Sequence, residues 1–297
     1  MQSKYSIKEL EHLSGIKAHT IRAWESRYKL IEPHRTATNI RYYVDEHLKK
    51  ILNTSALIKA GVKISKIAQM TEEEINEAVM NSGRYESNFT TYINSLKVAT
   101  LMYEENTFDA VVSKCIVSYG AEKTLMEVVG PFIKEIGLLW QIGVMKVSHE
   151  HFASNMLKMK LFALIDQSFP HSLDSNSSAY ILYLPADELH ELSLLYLYYH
   201  LIINGNRVIY LGQAVPFEYL KQVSEKTGIR NFISVFTTNP HIDEISKYMG
   251  IIGENFHNTG SRFLLTGKQV QDLVADVETP MVSIFKGVEE LREAVLN

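Results

Sequence analysis

Apolar positions along the chain change their spacing twice, and each change marks a different kind of structure. Over residues 5–70 they fall in short helical blocks. SIKELEHLSGI sets Ser6 three residues before Glu9 ahead of an apolar run, a capping box, and Gly15 ends that helix. IKAHTIRAWESRYKL restarts the helical spacing after one tight turn, a helix-turn-helix pattern. IEPHRTATNIRYYV then has β-formers on both sides of Thr38 and Asn39 and predicts a hairpin or wing. Asp45 is expected to cap a third helix, DEHLKKILNTSALIKAG, ended by Gly61, with a short fourth near ISKIAQM. Residues 71–90 are polar and acidic with an Asn-Ser-Gly break, and read as a linker holding a short helical piece.

From 91 to 169 the spacing settles near 3.6 in four blocks: YINSLKVATLMYEEN, TFDAVVSKCIVSYG, EKTLMEVVGPFIKEIGLLW and HEHFASNMLKMKLFALIDQSF. Breaks at Asn106, Gly120 and Gly143 predict a compact antiparallel four-helix bundle. PHSLDSNSSA (170–179) reads as a second linker. Beyond it, AYILYLP, RVIYLG, NFISVF, RFLLTG and MVSIF are short apolar runs without polar alternation, separated by helical stretches. Strands buried on both faces of a parallel sheet have this look. The expected fold class is therefore multidomain, α and α/β: a winged helix-turn-helix head (1–75), a four-helix bundle (76–170), and a flavodoxin-like, doubly wound parallel sheet of five strands (178–297). Ligands of such sheets sit outside the carboxyl ends of the strands, near the switch point. His190 falls in the loop and first helical turn after the first strand, at that edge.

Charge sharpens the division. The net charge of −4 hides a head (1–70) at +7 and a remainder at −11. A basic head on an acidic body points to a polyanion met by the head alone. The single cysteine, Cys115, excludes a disulfide framework and any multi-thiolate zinc or iron–sulfur site, and its apolar setting reads as a packed core thiol. The segment MQSKYSIKEL has no apolar signal region and no stretch reaches ~18 uncharged apolar residues, so the expectation is a cytoplasmic protein with no membrane span.

The second helix exposes Lys17, His19, Thr20, Arg22, Arg27 and Tyr28 around an apolar side containing Ile21 and Trp24. An α-helix fits the DNA major groove, where arginine pairs with guanine edges. The wing adds His34, Arg35, Thr36, Asn39 and Arg41, with Tyr42 and Tyr43 behind them, short polar and basic groups suited to phosphates. A merely solvated basic face is the competing reading, and the combined helix-turn-helix, wing and charge outweigh it. YSIKELEHLSGIKAHTIRAWESRY and RTATNIRYY together resemble the MerR family of transcriptional regulators over residues 5–70. Where family members often have two tyrosines after the recognition-helix arginine, this chain has Ala23 and Trp24. Many relatives follow the head with one long pairing helix; here the segment at 71–90 is too short and broken, so the later domains are expected to control assembly.

The strand–helix segment resembles the cobalamin-binding fold, whose D-x-H-x-x-G motif appears as Glu188, His190 and Ser193. The resemblance implies His190 as cobalt ligand in place of the cofactor's own benzimidazole, with the acidic residue orienting the ring; imidazole is a good cobalt ligand and a carboxylate on its other nitrogen fixes tautomer and basicity. Leu211 and Gly212, in YLG after the second strand, also match. The Ser-x-Leu of the third strand appears as Ser234-Val235-Phe236 and the later double glycine as Thr266-Gly267. Ser193 adds a side chain where the displaced nucleotide tail is expected to thread.

In the bundle, Trp140, nine intervening residues, then Glu150-His151 match the W-x9-E-H pattern of adenosylcobalamin-dependent, light-responsive MerR-type repressors, the CarH-like proteins. The resemblance implies Trp140 over the adenosyl group with Glu150 and His151 beside it, and Val147 as an apolar neighbour. A flat aromatic covers a purine while carboxylate and imidazole bond its edges. A bundle tryptophan beside a surface His-Glu-His is the bland alternative. His149 and His151, two apart on a helix, face different ways and do not chelate. Gln141 stands where some relatives have a histidine beside the tryptophan.

Taken together, the resemblance implies a non-enzymatic transcriptional repressor that binds double-stranded operator DNA as a homo-oligomer, dimer or tetramer, under control of adenosylcobalamin and light. A second reading is a repressor whose sheet has lost cobalamin and answers to a protein antagonist or another ligand. A cobalamin enzyme would need a substrate-bearing domain for which no residues remain.

Overall fold

The computed structural model describes residues 4–82, 89–169, 177–273 and 281–296. They divide into two compact units, Met1–Met156 and Leu157–Asn297.

In the first unit, α1 (Ile7–Ser14) starts with the expected capping box: Ser6 Oγ accepts the Glu9 N–H at 3.3 Å and Glu9 accepts the Ser6 N–H at 2.6 Å. Gly15, at φ +71°, ends it. Helix α2 (Ala18–Tyr28) has no capping side chain at Lys17. Glu11 on α1 supplies the missing acceptor, taking the Ala18 N–H at 3.0 Å, and so ties the two helices at their turn. The wing is the antiparallel pair β1 (His34–Arg35) and β2 (Arg41–Tyr42), with Asn39 left-handed at φ +63° in the turn. Ile21 and Trp24 are buried as expected.

Helix α3 (Asp45–Lys59) departs from expectation at its start: Val44, not Asp45, is the cap residue. The Asp45 carboxylate is engaged elsewhere, accepting the Tyr5 hydroxyl at 2.8 Å next to the Tyr5–Tyr43 backbone bridge. After α4 (Ile64–Ile67), the acidic stretch expected as a linker with a short helical piece forms the 11-residue helix α5 (Glu72–Ser82), whose Ile75 and Val79 pack with Ala56, Leu57 and Ile67. Thr71 and Glu74 make a second capping box that the composition had hidden.

The bundle helices are α6 (Phe89–Met102), α7 (Glu105–Tyr119), α8 (Ala121–Thr124) running through a π-turn (Leu125–Val129) into α9 (Gly130–Gln141), and α10 (Val147–Gln167). The π-turn precedes Pro131, whose ring would clash with a carbonyl one turn back in a regular helix; the wider turn relieves it. Gly120 and Gly143 break the bundle as expected, at φ +83° and +74°. The break placed at Asn106 falls earlier, at Tyr103 (φ +53°), whose ring packs 4.9 Å from His149 and whose hydroxyl meets Ser148 at 2.7 Å.

Seven consecutive α3 residues, Ile51–Leu57, are buried, because the helix packs on the head core on one side and on α6 on another. Polar pairs surround this seam: Lys49 to Glu104 at 3.0 Å and Asn53 to Asn76 at 3.0 Å. Cys115 is buried, and burial pushes its thiol up to about 12, which leaves it inert.

In the second unit, β3 (Ala179–Pro185), β4 (Arg207–Val215), β5 (Asn231–Val235), β6 (Arg262–Thr266) and β7 (Val282–Ile284) form one parallel sheet in the order β4-β3-β5-β6-β7. These are the five apolar runs expected. Helices α11 (Leu192–Ile203) and α14 (Val288–Leu296) pack Leu194, Leu197, Leu201 and Leu291 against one face. Helices α12 (Glu218–Thr227) and α13 (Ile245–Phe256) cover the other with Leu220, Ile252 and Phe256. Strand order reverses between β3 and β5, which places the switch point beside the loop carrying His190. The expected linker at 170–179 lies outside the described residues for 170–176. Among the described residues, no helix is long and apolar enough to cross a membrane.

Candidate functional site

On the head, Lys17, His19, Arg22, Arg27, Arg35, Thr36, Asn39 and Arg41 are exposed, while Thr20, Tyr28 and Tyr42 are partly so. Tyr43, grouped with the wing by sequence, is instead fully buried, its hydroxyl bonded to Glu25 at 2.6 Å. The exposed cations are lightly braced. Lys17 meets Glu11 at 3.1 Å, Arg41 meets Glu25 at 3.9 Å, and Arg35 donates to Asn39 Oδ1 at 2.7 Å across the wing tip. Helix and hairpin therefore present an array of positive and hydrogen-bonding groups whose solvation a polyanion can replace.

In the bundle, Trp140 lies in the last turn of α9 and Val147 starts α10, and they are 47% and 50% exposed. The half-exposed Trp140 is not part of the buried bundle core. Glu150 accepts from Ser154 at 2.5 Å and pairs with His151 Nδ1 at 2.8 Å, which orients the exposed imidazole. His149 is buried and caps its own helix, accepting the Lys146 N–H at 3.2 Å. Among the described residues there is no cluster of three or more His, Cys, Asp or Glu placed to hold a metal ion.

The sheet edge is the most constrained of the three places. Glu188 is fully buried, and its carboxylate accepts the backbone N–H groups of His190, Thr237, Thr238 and Asn239 at 2.6–2.9 Å. The same carboxylate holds His190 Nδ1 at 2.7 Å. Burial alone would raise the carboxyl's pKa; the hydrogen bonds from the His190 ring and from the Asn239, Thr238 and His190 amides overcome it and hold it at about 2. Two more bonds clamp the loop: Gln213 Nε2 donates to the Leu189 carbonyl at 2.6 Å and the Ala214 N–H to the Glu188 carbonyl at 3.3 Å. With Nδ1 engaged, the half-exposed imidazole has Nε2 as the atom suited to a metal. Thr237, Thr238, Asn239 and Gln213 were missed by sequence reasoning; the Thr-Thr-Asn-Pro turn directly after β5 was the available signal.

Leu211 is the extra residue of a β4 bulge, with Gly212 beside it at φ +77°. Ser193 lies partly buried in the first turn of α11. Ser234, Phe236 and Thr266 are fully buried. Ser234 donates to the Tyr183 carbonyl at 2.8 Å and Thr266 to the Phe285 carbonyl at 3.0 Å. Gly267, at φ +115°, lies so close to Phe236 that a Cβ would stand 2.4 Å from its carbonyl oxygen. The half-exposed, carboxylate-backed imidazole of His190 is a donor that suits a cobalt ion, while the Ser234 and Thr266 hydroxyls are engaged with backbone carbonyls.

A winged helix-turn-helix with an exposed cationic face, in one chain with a helical bundle and a doubly wound sheet, defines a regulator with an attached ligand-type domain. Residues 5–74 match the model of the MerR HTH family regulatory protein and residues 92–165 that of the B12 binding domain. The chain thus combines a MerR HTH head with a B12 binding domain. It is 29% identical over 302 residues to the HTH-type transcriptional repressor CarH of Myxococcus xanthus, covering 96% of both chains. It is 26% identical to the repressor CarA of the same organism, over 71% of this chain and 68% of that one. Among solved structures, the Methanosarcina barkeri monomethylamine corrinoid protein shares the fold at TM-score 0.55 and 12% identity, over 70% of this chain and 98% of that one.

Proposed function

We propose that this chain is a DNA-binding transcriptional repressor whose operator binding and self-association are governed by cobalamin, adenosylcobalamin in particular, and by light. The observation that carries the reading is the Glu188–His190 pair: an imidazole oriented by a buried carboxylate at the switch-point edge of a doubly wound sheet, in a chain collinear with CarH.

His190 is the cobalt ligand, held by Glu188 and the 237–239 turn. Trp140 covers the adenosyl group, with Val147, Glu150 and His151 as its neighbours in the bundle. The cofactor, when bound, supplies a cobalt–carbon bond that light cleaves. The residues of the head, Lys17, His19, Thr20, Arg22, Arg27 and Tyr28 on α2 and Arg35, Thr36, Asn39, Arg41 and Tyr42 on the wing, contact operator DNA. Control requires that the ligand discriminate between assembled and dispersed states. The chain acts as a regulator, with no reaction of its own, in the cytoplasm and as a dimer or tetramer.

The test is purification with adenosylcobalamin in darkness. The expected result is corrinoid absorbance retained on the protein, lost in His190→Ala, with illumination changing both oligomer size and operator binding. Protein that emerges without absorbance, while still binding its operator, removes cobalamin control. The inward-turned Ser234, Phe236 and Thr266 favour, in that event, a sheet answering to a protein antagonist or another ligand.

A further inference from the structure

The loop that carries His190 is gripped by a second carboxylate. Glu188 holds the imidazole ring from one side, and Glu191 follows His190 directly on the other. The Glu191 N–H turns back to the Leu189 carbonyl at 3.1 Å, and the Glu191 carbonyl accepts the Leu195 N–H at 2.9 Å as α11 begins. The Glu191 side chain engages both of its oxygens. Oε1 pairs with Lys158 Nζ at 3.0 Å, and Oε2 accepts the Tyr210 hydroxyl at 2.8 Å.

Lys158 lies on α10, in the part of that helix that belongs to the second unit, which starts at Leu157. Phe162 stands one helical turn further on, and its ring meets Tyr210 edge to face at 6.4 Å. Tyr210 in turn stacks on Tyr198 at 5.1 Å. Burial and the Glu191 carboxylate raise the Tyr210 phenol above its ordinary range, so it remains a donor. Glu191 is thus seated on a cation and a phenol, both braced by aromatic packing or helix.

The Lys158 and Glu191 side chains are only 22% and 12% exposed. A carboxylate this far from water is costly to leave without its cation, so Glu191 deprived of Lys158 would turn towards solvent. His190 is its neighbour in the chain and would shift with it. A functional side chain has to be held within about 0.5 Å of its working position, and groups that orient a metal ligand from behind govern about 10–100-fold in metal affinity.

Resting on His190 as the cobalt ligand, we propose that Lys158 is a positioning residue for it: through Glu191 it pins the His190 backbone to α10, as Glu188 pins the ring. Removing the lysine charge leaves the ligand itself in place but lets it wander. A cobalamin bound to such a variant keeps its own benzimidazole on cobalt in part of the molecules.

The experiment takes full-length protein labelled with heavy nitrogen and loaded with cob(II)alamin without oxygen. Its electron paramagnetic resonance splits into doublets when the axial nitrogen comes from the labelled protein and into triplets when it comes from the unlabelled benzimidazole. Wild type is expected to give doublets alone. Lys158→Met and Glu191→Gln are expected to give both patterns together, and in equilibrium dialysis to bind adenosylcobalamin about tenfold more weakly. Lys158→Arg, which keeps the charge, should restore the doublets. Should Lys158→Met fail to fold, Glu191→Gln, which keeps the shape of the side chain, decides alone. Doublets alone in Glu191→Gln and in any folded Lys158→Met overturn the inference while leaving His190 as ligand. A defect in Lys158→Met that Lys158→Arg does not reverse overturns the ion pair as its cause. Triplets in wild type, or no corrinoid retained, overturn the ligand assignment on which the inference stands.

Discussion

The cationic face of the head and the His190 edge of the sheet are both built from polar side chains, yet they are held in opposite ways. Arg22 and Arg27 stand exposed on α2, and the wing cations have one brace each. Glu188 has no exposed surface and receives four backbone N–H groups and a ring nitrogen. A phosphate backbone is a long, regular charge, and flexible cations reach it without exact placement. A single coordination bond, the role proposed for His190, tolerates little error, and this imidazole is held by a stiff neighbour. Function therefore couples weakly to folding at the head and strongly at the sheet.

The largest effect expected of that contrast is at Glu188. Glu188→Ala removes a fully buried carboxylate that four backbone amides share and is expected to destabilise the sheet unit by about 3–5 kcal/mol. Trp24 and Trp140 both lie in the first unit, so tryptophan fluorescence follows that unit while amide exchange in β3–β6 follows the sheet. An unchanged exchange profile would break the contrast.

Acid provides the next test. Glu188 is held at about 2 against an ordinary 4.5, a depressed carboxyl, so its stabilisation is present above pH 4.5 and is lost as pH falls towards 2; it amounts to about 3 kcal/mol. Burial, with Arg292 nearby, lowers His200 to about 4 from 6.5, so it is neutral in the fold and its contribution fades earlier, between pH 6.5 and 4. Exchange rates in the sheet should rise in those two stages.

Smaller effects belong to the head. Arg22→Ala is expected to weaken operator binding by about 1–3 kcal/mol with the unfolding midpoint unchanged, and Lys17→Ala to reduce the salt slope of binding by about one. Arg35→Ala, which removes the exposed brace on Asn39, should change stability by less than about 1 kcal/mol in urea unfolding. A head variant that unfolds the protein would erase the distinction between the two surfaces.

The same contrast decides what could be read from sequence. The Ser6–Glu9 box, the wing turn at Asn39, five apolar strands and the histidine after β3 are local patterns, and each is present. Asp45 was assigned as a cap because its type and position suit one, but the Tyr5 hydroxyl, forty residues away, claims its carboxylate. The turn at 237–239 escaped notice because its importance lies in amides that any residue carries, brought to Glu188 by strand pairing. Thr71 and Glu74 were legible, but acidic composition outweighed them.

Helix α3 has a consequence for how such proteins change over generations. A helix buried through seven successive positions belongs to two cores at once, and cutting the chain after residue 75 would bare its α6-facing side to water. Gene recombination at that point would yield a poorly soluble reader on either side of the join. Head and bundle therefore share one core, and a cut between them is expected to expose it.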